Sequence, residues 1–420
     1  MNLGRTRTDS DIDHAKPENA LTSTKRYDFD LLTLSIVVLI VWLYLTFFHG
    51  NFWRVGLFQL PNQSPSTRPL VAAIIPARNE ADVVGRAITS LLTRQFEGDL
   101  RLFVVDDNST DGTANAARAA AGMLGAGDRL TIISGAPIET GWTGKLWAMQ
   151  QGWEAASQIK PDYFLLTDAD IEHAPDNLAR MVAQAERGNF DLVSLMVKLR
   201  SDTLAEKFLI PAFIYFFFLL YPPARISNPR SRVAGAAGGC ILIRSDALER
   251  AGGFSAIRGN VIDDCALAAR VKQTDGRIWL GIKESTRSIR GYRTFANIRN
   301  MIARSAFHQL RHSALLLVLC FAGMLLTFLA PLVCVFAGDR AAGWIGVAAC
   351  VLMFTTYVPT LRLYRVNPLA ALSLPLAAIF YLEATIASAI RYWRGRGGEW
   401  KGRFADVLQP EGRNSSSPRA

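Results

Sequence analysis

Long uncharged runs and short apolar runs divide the chain into two kinds of segment. Residues 31–48 read LLTLSIVVLIVWLYLTFF without a charged side chain, which is about enough helix to cross the hydrocarbon layer of a bilayer. A tail of mixed charge, residues 1–30, precedes this run, and HGNFWR follows it where a signal peptide would have a small-residue cleavage site. We therefore predict a membrane helix at 31–48.

Three more apolar runs lie towards the C-terminus, at 314–337, 342–361 and 369–390. Each is close to the length of a membrane span, so we predict C-terminal membrane helices within 314–390. The tail over 391–420 has seven Arg or Lys against three Asp or Glu, which suits an anionic membrane face. One crossing before the central domain and three after it would separate this tail from a cytosolic domain, unless one run is re-entrant.

The central region, residues 66–311, alternates between short apolar runs and helical patterns. The runs LVAAIIP, RLFVVD, RLTIIS, YFLLTD and GCILIR are separated by stretches with apolar residues at three- and four-residue spacing. This alternation predicts an α/β domain with a mostly parallel sheet covered by helices. Within it, residues 204–221 end in FLIPAFIYFFFLLY, fourteen residues without a charge, which fit either an interfacial helix or a buried core helix.

Composition excludes several classes of protein. Half of the 420 residues are hydrophobic and 20% are charged, so a disordered or purely soluble chain is not expected. The net charge of +10 fits nucleic acid, anionic lipid or a polyphosphate ligand. The five cysteines include no C-x-x-C pair, which argues against a zinc site and suits a reducing compartment such as the cytosol.

Polar side chains follow the first two predicted strands. Pro76, Asn79 and Glu80 end the first run in IIPARNE, and Asp106 and Asp107 end the second in VVDDNSTDGT. Ligands bind at the carboxyl edge of the strands in open α/β sheets, so these residues are candidates for ligand contacts. Each strand end taken alone is equally typical of an ordinary connection between a strand and a helix.

An Asp-x-Asp pair, Asp168 and Asp170, follows the fourth run in LLTDADIEH. Mg²⁺ needs few protein oxygens when a diphosphate completes its coordination, so this pair is adequate as a metal site. The alternative is an ordinary turn or helix cap. His173 is close in sequence, and a lone histidine is more often a packing residue than a ligand.

Two further segments add a cation and a second pair of acids. Lys145 stands in GWTGKLW, a loop that differs from the P-loop of ATPases because Leu146 takes the position of the hydroxyl residue. It is a candidate for a phosphate contact or an ordinary turn residue. Asp263 and Asp264 open a predicted helix in IDDCALAARVKQ, where one is a candidate base and both are favourable partners of the helix dipole. We expect all these acids to converge on one divalent cation.

The order of the motifs resembles that of a known enzyme family. PARNE, VVDDNSTDGT, GWTGK, TDAD, GGC and IDD follow one another over residues 70–290 as in the family-two glycosyltransferases, inverting enzymes with a nucleotide-sugar-binding, GT-A-like fold. The segments GWTGKLWAM, IPAFIYFFFLLYP, IRGNVIDDCALAARVK and YWRGRGGEWKGR further resemble the hopene-associated glycosyltransferases. This second resemblance covers nearly the whole chain.

The family resemblance implies a bound donor and a metal ion. The donor would be a nucleotide-sugar, specifically a UDP-sugar, and the metal ion Mg²⁺ or Mn²⁺ on Asp170 together with Asp168. The residues that would hold the donor at matching positions are Pro76, Asn79, Glu80, Asp106, Asp107, Lys145 and Asp168.

The resemblance also implies an acceptor beside Gly238 and Gly239 and assigns the catalytic base to Asp264. Asp263 stands where the family usually has a Glu, so the member of the pair that faces the acceptor stays open. Processive members carry a Q-x-x-R-W signature, whereas this chain has AFHQLRHS without the Trp. Polymer synthesis is therefore disfavoured.

The resulting prediction is an inverting enzyme of the bacterial inner membrane with a cytosolic catalytic domain. It moves one sugar from a nucleotide-sugar to a hydroxyl of a membrane lipid, and the resemblance points to a hopanoid. Nucleic acid is not an expected partner. Two alternatives stay open: a nucleotidyltransferase, which would release pyrophosphate, and a membrane scaffold that keeps the fold without catalysis.

Overall fold

The computed structural model describes residues 19–395, and its central domain is built on one sheet. The strands are β1 Leu70–Ala77, β2 Asp99–Asp106, β3 Leu130–Ser134, β4 Tyr163–Thr167, β5 Ile171–Glu172, β6 Leu192–Lys198, β7 Cys240–Arg244 and β8 Ile278–Ser288. Their order is β3-β2-β1-β4-β7-β6-β8-β5. Four neighbouring pairs are parallel and three are antiparallel, which confirms the predicted GT-A-like, mostly parallel sheet.

Helices precede, cover and follow the sheet. The first is α1 Asn19–Phe47. Those within the domain are α2 Val84–Leu92, α3 Thr113–Met123, α4 Gly144–Ser157, α5 Asn177–Gly188, α6 Leu204–Leu220, α7 Pro223–Ile226, α8 Ser245–Arg250 and α9 Asp263–Gln273. Those that follow it are α10 Phe295–Gln309, α11 Ala314–Met324, α12 Ala330–Phe336, α13 Arg340–Leu363 and α14 Leu374–Trp393.

The strand order creates a crevice at one edge of the sheet. β1, β2 and β3 follow one another outward, and the chain then returns to β4 on the other side of β1. Ligand sites of open α/β sheets lie at such a reversal, outside the carboxyl ends of the strands. The acidic motifs after β2 and β4 are therefore placed on either side of β1.

The five apolar runs given above correspond to β1 to β4 and β7, and they leave out β5, β6 and β8. β6 reads LVSLMVK, and Ser194 interrupts its apolar pattern. Ser194 is nevertheless buried, because its hydroxyl accepts from the N–H of Ala237 at 2.8 Å and lies 3.2 Å from the Ala237 carbonyl. A satisfied hydroxyl thus takes a core position that the hydrophobic pattern alone does not reveal.

Within residues 19–395, four helical segments are long and apolar enough to cross a membrane: Leu204–Ile226, Ala314–Phe336, Arg340–Leu363 and Pro368–Trp393. The last three cover the apolar runs predicted near the C-terminus. α1 is helical as expected, and its apolar part, Leu31–Phe47, is shorter than these four.

α6 is the helix for which the sequence left two alternatives. A capping box of Thr203 and Glu206 fixes its start, and most of its side chains are buried. The Tyr215 hydroxyl lies 2.9 Å from Thr356 Oγ1 of α13, and Tyr381 of α14 donates to the Leu209 carbonyl at 2.9 Å. α6 is therefore a buried helix, packed against the apolar helices that follow the domain.

Gly152 allows α4 to lie directly on the sheet, and Gly152→Ala is expected to lower the free energy of unfolding. A Cβ there would lie 2.5 Å from Ile74 Cγ2 and 3.0 Å from Val105 Cγ2, both in buried strands. We expect a loss of about 1–3 kcal/mol, measured by thermal unfolding of the full chain in detergent. Gly122→Ala is the control, because that glycine of α3 has no atom within 4 Å of a built Cβ and should gain about 0.5–1 kcal/mol. Equal effects of the two changes would contradict this packing.

Candidate active site

The ends of β1 and β2 are tied together by Asn79. Its φ of +51° lies in the left-handed region, which Asn tolerates better than most residues. Its N–H donates to Ser109 Oγ at 2.9 Å, and its Oδ1 accepts from the Thr110 N–H at 2.9 Å. This predicted donor-binding residue therefore holds two loops together at the carboxyl edge of the sheet.

Asp106 and Asp107 have different partners at the end of β2. Asp106 Oδ1 accepts from the Ser109 N–H at 3.0 Å. Asp107 is buried, and its Oδ2 lies 3.6 Å from Arg78 Nη1. The predicted pocket residue Pro76 is part of β1 and lies opposite β2 in the sheet. A guanidinium thus balances the buried carboxylate next to the first strand.

Lys145 joins the Asp-x-Asp pair to the start of α9. It lies in the first turn of α4, where Thr143 caps the helix. Its Nζ is 3.0 Å from Asp168 Oδ1 and 3.0 Å from Asp263 Oδ2. Burial opposes the positive charge, but these two carboxylates raise the pKa of Lys145 above its usual value. The ammonium group therefore stays protonated and links three motifs that are separate in sequence.

Asp264 lies in the same pocket. Burial, and after it the charge of Asp263, raises the pKa of Asp264 to about 6, although Lys145 opposes this rise. Its Oδ1 accepts from the Cys265 N–H at 2.7 Å. A Cβ on Gly238 would lie 3.1 Å from Asp264 Oδ2, so the glycine leaves this carboxylate open to the pocket. The apolar part of the lining is formed by Leu146, Met149, Leu166, Ile241, Phe254, Ile257 and Leu267.

Asp170 belongs to a second group, at the end of β8. Ser288 Oγ donates to its Oδ2 at 2.9 Å, and Arg290 Nε lies 3.8 Å from the same oxygen. Arg290 also pairs with Glu80 at the end of β1. Burial, and after it the charge of Asp168, raises the pKa of Asp170 to about 6. Glu80, predicted to hold the donor, thus takes part in an ion pair between β1 and the segment after β8.

The expected single cradle of carboxylates is divided into two groups. A basic side chain lies within each group, Lys145 in the first and Arg290 in the second. Within residues 19–395, no three His, Cys, Asp or Glu side chains form a cluster that would hold a metal ion. A common cation for all of these acids therefore stays a prediction, since Lys145 and Arg290 lie between them.

The Asp-x-Asp pair alone still fits a divalent cation. Burial is the main cause of the raised pKa of Asp170, and the negative charge of Asp168 is the second. The second effect is expected when two carboxylates lie close together. The contacts of this pair with Lys145, Ser288 and Arg290 are made by Asp168 Oδ1 and Asp170 Oδ2. Two carboxylate oxygens suit Mg²⁺ or Mn²⁺ when phosphate oxygens complete the coordination.

Two other residues near the pair lie behind the site. His173 is buried, its Nε2 is 3.0 Å from Thr167 Oγ1, and burial lowers its pKa to about 4. It is a neutral packing residue. Gly239 packs against Val197, and its carbonyl accepts from Thr167 at 2.9 Å. Of the two predicted acceptor glycines, Gly238 lines the pocket.

Three polar residues of the site are not identified by the sequence argument: Arg78, Ser288 and Arg290. Arg78 lies inside the PARNE motif itself, next to Asn79. Ser288 is the last residue of β8, and Arg290 lies two residues beyond it, at the same edge of the sheet as the other motifs. The apolar start of β8, IWLGI, was the available signal.

Comparison with known proteins agrees with this geometry. Residues 72–252 match the model of glycosyl transferase family 2. The matched range contains most of β1, all of β2 to β7, and the pocket residues Lys145 and Asp168. Asp263 and Asp264 lie beyond the matched range.

Two relatives are undecaprenyl-phosphate 4-deoxy-4-formamido-L-arabinose transferases from Pseudomonas fluorescens strains Pf0-1 and Pf-5. The first is 29% identical over 140 residues, 33% of this chain and 38% of that protein. The second is 31% identical over 135 residues, 32% of this chain and 37% of that protein. The chain thus spans well under half the length of the curated relatives that it matches.

A solved structure shares the fold over a larger part of the chain. It is a mannosyltransferase from Pyrobaculum calidifontis in complex with GDP-Man and Mn²⁺. The TM-score is 0.54 at 19% identity, and the match covers 87% of this chain and 99% of that one. At this level of identity, the likeness concerns the fold.

Lys145→Gln is expected to strengthen Mn²⁺ binding when no nucleotide is present. Lys145 holds Asp168 at 3.0 Å, and its removal leaves the carboxylate free and the local potential more negative. We expect the Mn²⁺ dissociation constant to fall about tenfold, measured by electron paramagnetic resonance titration of the detergent-purified protein. Lys160→Gln is the control, because Lys160 is exposed and lies in the loop after the same helix. Unchanged or weaker binding in Lys145→Gln would contradict this view of the ion pair.

Proposed function

We propose that this protein transfers one sugar from a nucleotide-sugar to a lipid acceptor at the membrane surface, with inversion at the anomeric carbon. The observation that carries the proposal is the pocket in which Lys145 bridges Asp168 and Asp263 beside Asp264. The pocket lies between the end of β4 and the start of α9, and residues 72–252 match the model of glycosyl transferase family 2. A bare scaffold would not need a partly buried acid with a raised pKa beside an ion pair.

Asp264 is the base in this proposal. Its pKa of about 6 leaves it ionised near neutral pH, yet basic enough to take a proton from an acceptor hydroxyl in the transition state. The acceptor oxygen then attacks the anomeric carbon from the side opposite the leaving diphosphate, which inverts the configuration. The apolar lining of the pocket excludes water that would otherwise hydrolyse the donor.

Lys145 and the first two strand ends would bind the donor. The ammonium group of Lys145 suits a diphosphate oxygen, since it can leave one of its two carboxylate partners for a stronger anion. Asn79, Asp106 and Asp107 border the crevice after β1 and β2, where the base and ribose of a UDP-sugar would lie. A divalent cation on Asp168 and Asp170 would supply neutralisation of the diphosphate charge.

The acceptor is a membrane lipid because four apolar helical segments surround or follow the domain. The sequence resemblance favours a hopanoid hydroxyl, whereas the names of the two relatives point to a lipid phosphate. The base distinguishes the two: a hydroxyl must lose a proton as it attacks, but a phosphate monoester is already ionised at neutral pH. Asp264 therefore favours a hydroxyl-bearing lipid, at the cytosolic face of a bacterial inner membrane.

Asp264→Asn should abolish transfer to a hydroxyl-bearing lipid. Loss of the base is expected to lower kcat roughly 10²–10⁴-fold, measured as release of nucleoside diphosphate and as a hexose-sized or amino-sugar-sized mass increment on the lipid. The purified full chain is incubated with UDP-sugars and either hopanoid or undecaprenyl phosphate. Asp275→Asn, at the exposed end of the same helix, should keep full activity.

Other outcomes of this experiment identify other functions. Pyrophosphate release from a nucleoside triphosphate would show a nucleotidyltransferase. Equal product from wild type and Asp264→Asn would remove Asp264 from the base role. If only undecaprenyl phosphate is glycosylated, and Asp264→Asn lowers that rate only slightly, the acceptor is a lipid phosphate.

The pH profile of kcat should fall on the acidic side near pH 6. Protonation of Asp264 removes the base, so the rate at pH 5 is expected to be roughly a tenth of the plateau near pH 7.5. Asp263→Asn removes the neighbouring charge that raises this pKa, so its acidic limb should move to lower pH. An acidic limb in the same place for both proteins would contradict the assignment.

A further inference from the structure

The last apolar segment, Pro368–Trp393, carries an ion pair at its centre. Glu383 of α14 makes a two-pronged contact with Arg299 of α10, with Nε–Oε2 at 2.7 Å and Nη2–Oε1 at 2.5 Å. The Glu383 side chain is 51% exposed. It shares one face of α14 with the exposed residues Leu376, Ile379, Ile390 and Trp393. If α14 crossed the bilayer, this exposed charge would lie in mid-hydrocarbon, which is costly.

α14 follows α10 from one end to the other in the same direction. The Phe380 and Phe295 rings lie 6.2 Å apart, and Ser388 Oγ accepts from the Phe307 N–H at 3.0 Å. Further along, the Tyr392 ring stacks on His312 at 4.0 Å. α10 carries the exposed polar side chains of Asn297, Arg304 and Gln309 on its surface, which suits a helix at the level of lipid head groups.

Both ends of α14 lie next to the catalytic domain. Before it, Lys198 of β6 donates to the Leu363 carbonyl at the end of α13 at 3.0 Å. The short turn Pro368–Ser373 then leads directly into α14. After it, the contact with His312 places its end near Gln309, which bonds to Tyr221 at the end of α6. A spanning helix would put its two ends about 30 Å apart on opposite faces.

Basic residues mark the same two positions. Arg362 and Arg365 lie at the end of α13, before α14, and Arg391 and Arg394 lie at the end of α14. The turn between α12 and α13, which is distant from the domain, has one basic residue, Arg340, beside one acidic residue, Asp339. Arg and Lys concentrate on the cytosolic side of membrane helices. Both ends of α14 therefore have the character of the cytosolic side.

From these observations we infer that α14 does not cross the membrane but lies along its surface beside α10. The exposed face of α14 lies at the level of the lipid head groups, where its apolar side chains contact the lipid and Arg299 neutralises Glu383. α1, Ala314–Phe336 and Arg340–Leu363 are the crossings, so the catalytic domain and the basic tail share one side. The inference concerns membrane topology and does not depend on the reaction proposed above.

Cysteine labelling in the full chain tests this arrangement. Single cysteines replace Lys160 in the catalytic domain, Ala341 after the distant turn, Asn367 before α14 and Ser416 in the tail. A membrane-impermeant maleimide is added to intact spheroplasts and to inverted vesicles, with wild type as the background control. We expect Lys160→Cys, Asn367→Cys and Ser416→Cys to react only in inverted vesicles, and Ala341→Cys only in spheroplasts.

The remaining outcomes overturn the inference. Reaction of Ser416→Cys from the same side as Ala341→Cys would show that α14 crosses. Reaction of Ala341→Cys from the same side as Lys160→Cys would show that α13 does not cross the membrane. Since labelling is independent of catalysis, either result would leave the glycosyl-transfer proposal untouched, and an inactive enzyme would leave the topology result valid.

Discussion

The site depends on the contact of the Lys145 ammonium group with Asp168 and Asp263, both at 3.0 Å. Asp168 follows β4 and Asp263 opens α9, and without a cation between them these acids and Asp264 would repel one another in a partly buried pocket. The position of Lys145 is set by α4, which lies on β1 and β2 through Gly152. The packing of one helix on the sheet thus determines where the charges meet.

Arg290 has in the second group of acids the role that Lys145 has in the first: its positive charge lies between two carboxylates. It pairs with Glu80 and lies 3.8 Å from Asp170, so each Asp of the Asp-x-Asp pair has its own basic neighbour. A divalent cation that binds this pair must compete with both. An anionic donor changes this balance, because its phosphates offer the basic side chains an alternative partner. Metal and donor are therefore expected to bind together more readily than either alone.

The sheet and the acidic motifs could be predicted because their signals are local. Apolar runs predicted β1 to β4 and β7, and the acids at the strand ends followed from the position of each run. The pairing of charges could not be predicted in this way, since Glu80 and Arg290 are 210 residues apart. β6 was not predicted because Ser194 interrupts its apolar run, and the hydrogen bond that allows this hydroxyl to be buried forms only in the folded chain. Periodicity specifies elements, whereas partners depend on topology.

Tyr221 connects this chemistry to the membrane helices. It follows the last residue of α6, its hydroxyl accepts from Gln309 of α10, and it lies near Cys265, the residue after the proposed base. Gly235 is required beside it, because a Cβ there would lie 2.5 Å from its ring. A movement of α10 would therefore displace Tyr221 and, through it, the first turn of α9. Tyr221 thus connects the helix proposed to lie at the membrane surface with the segment that carries the proposed base.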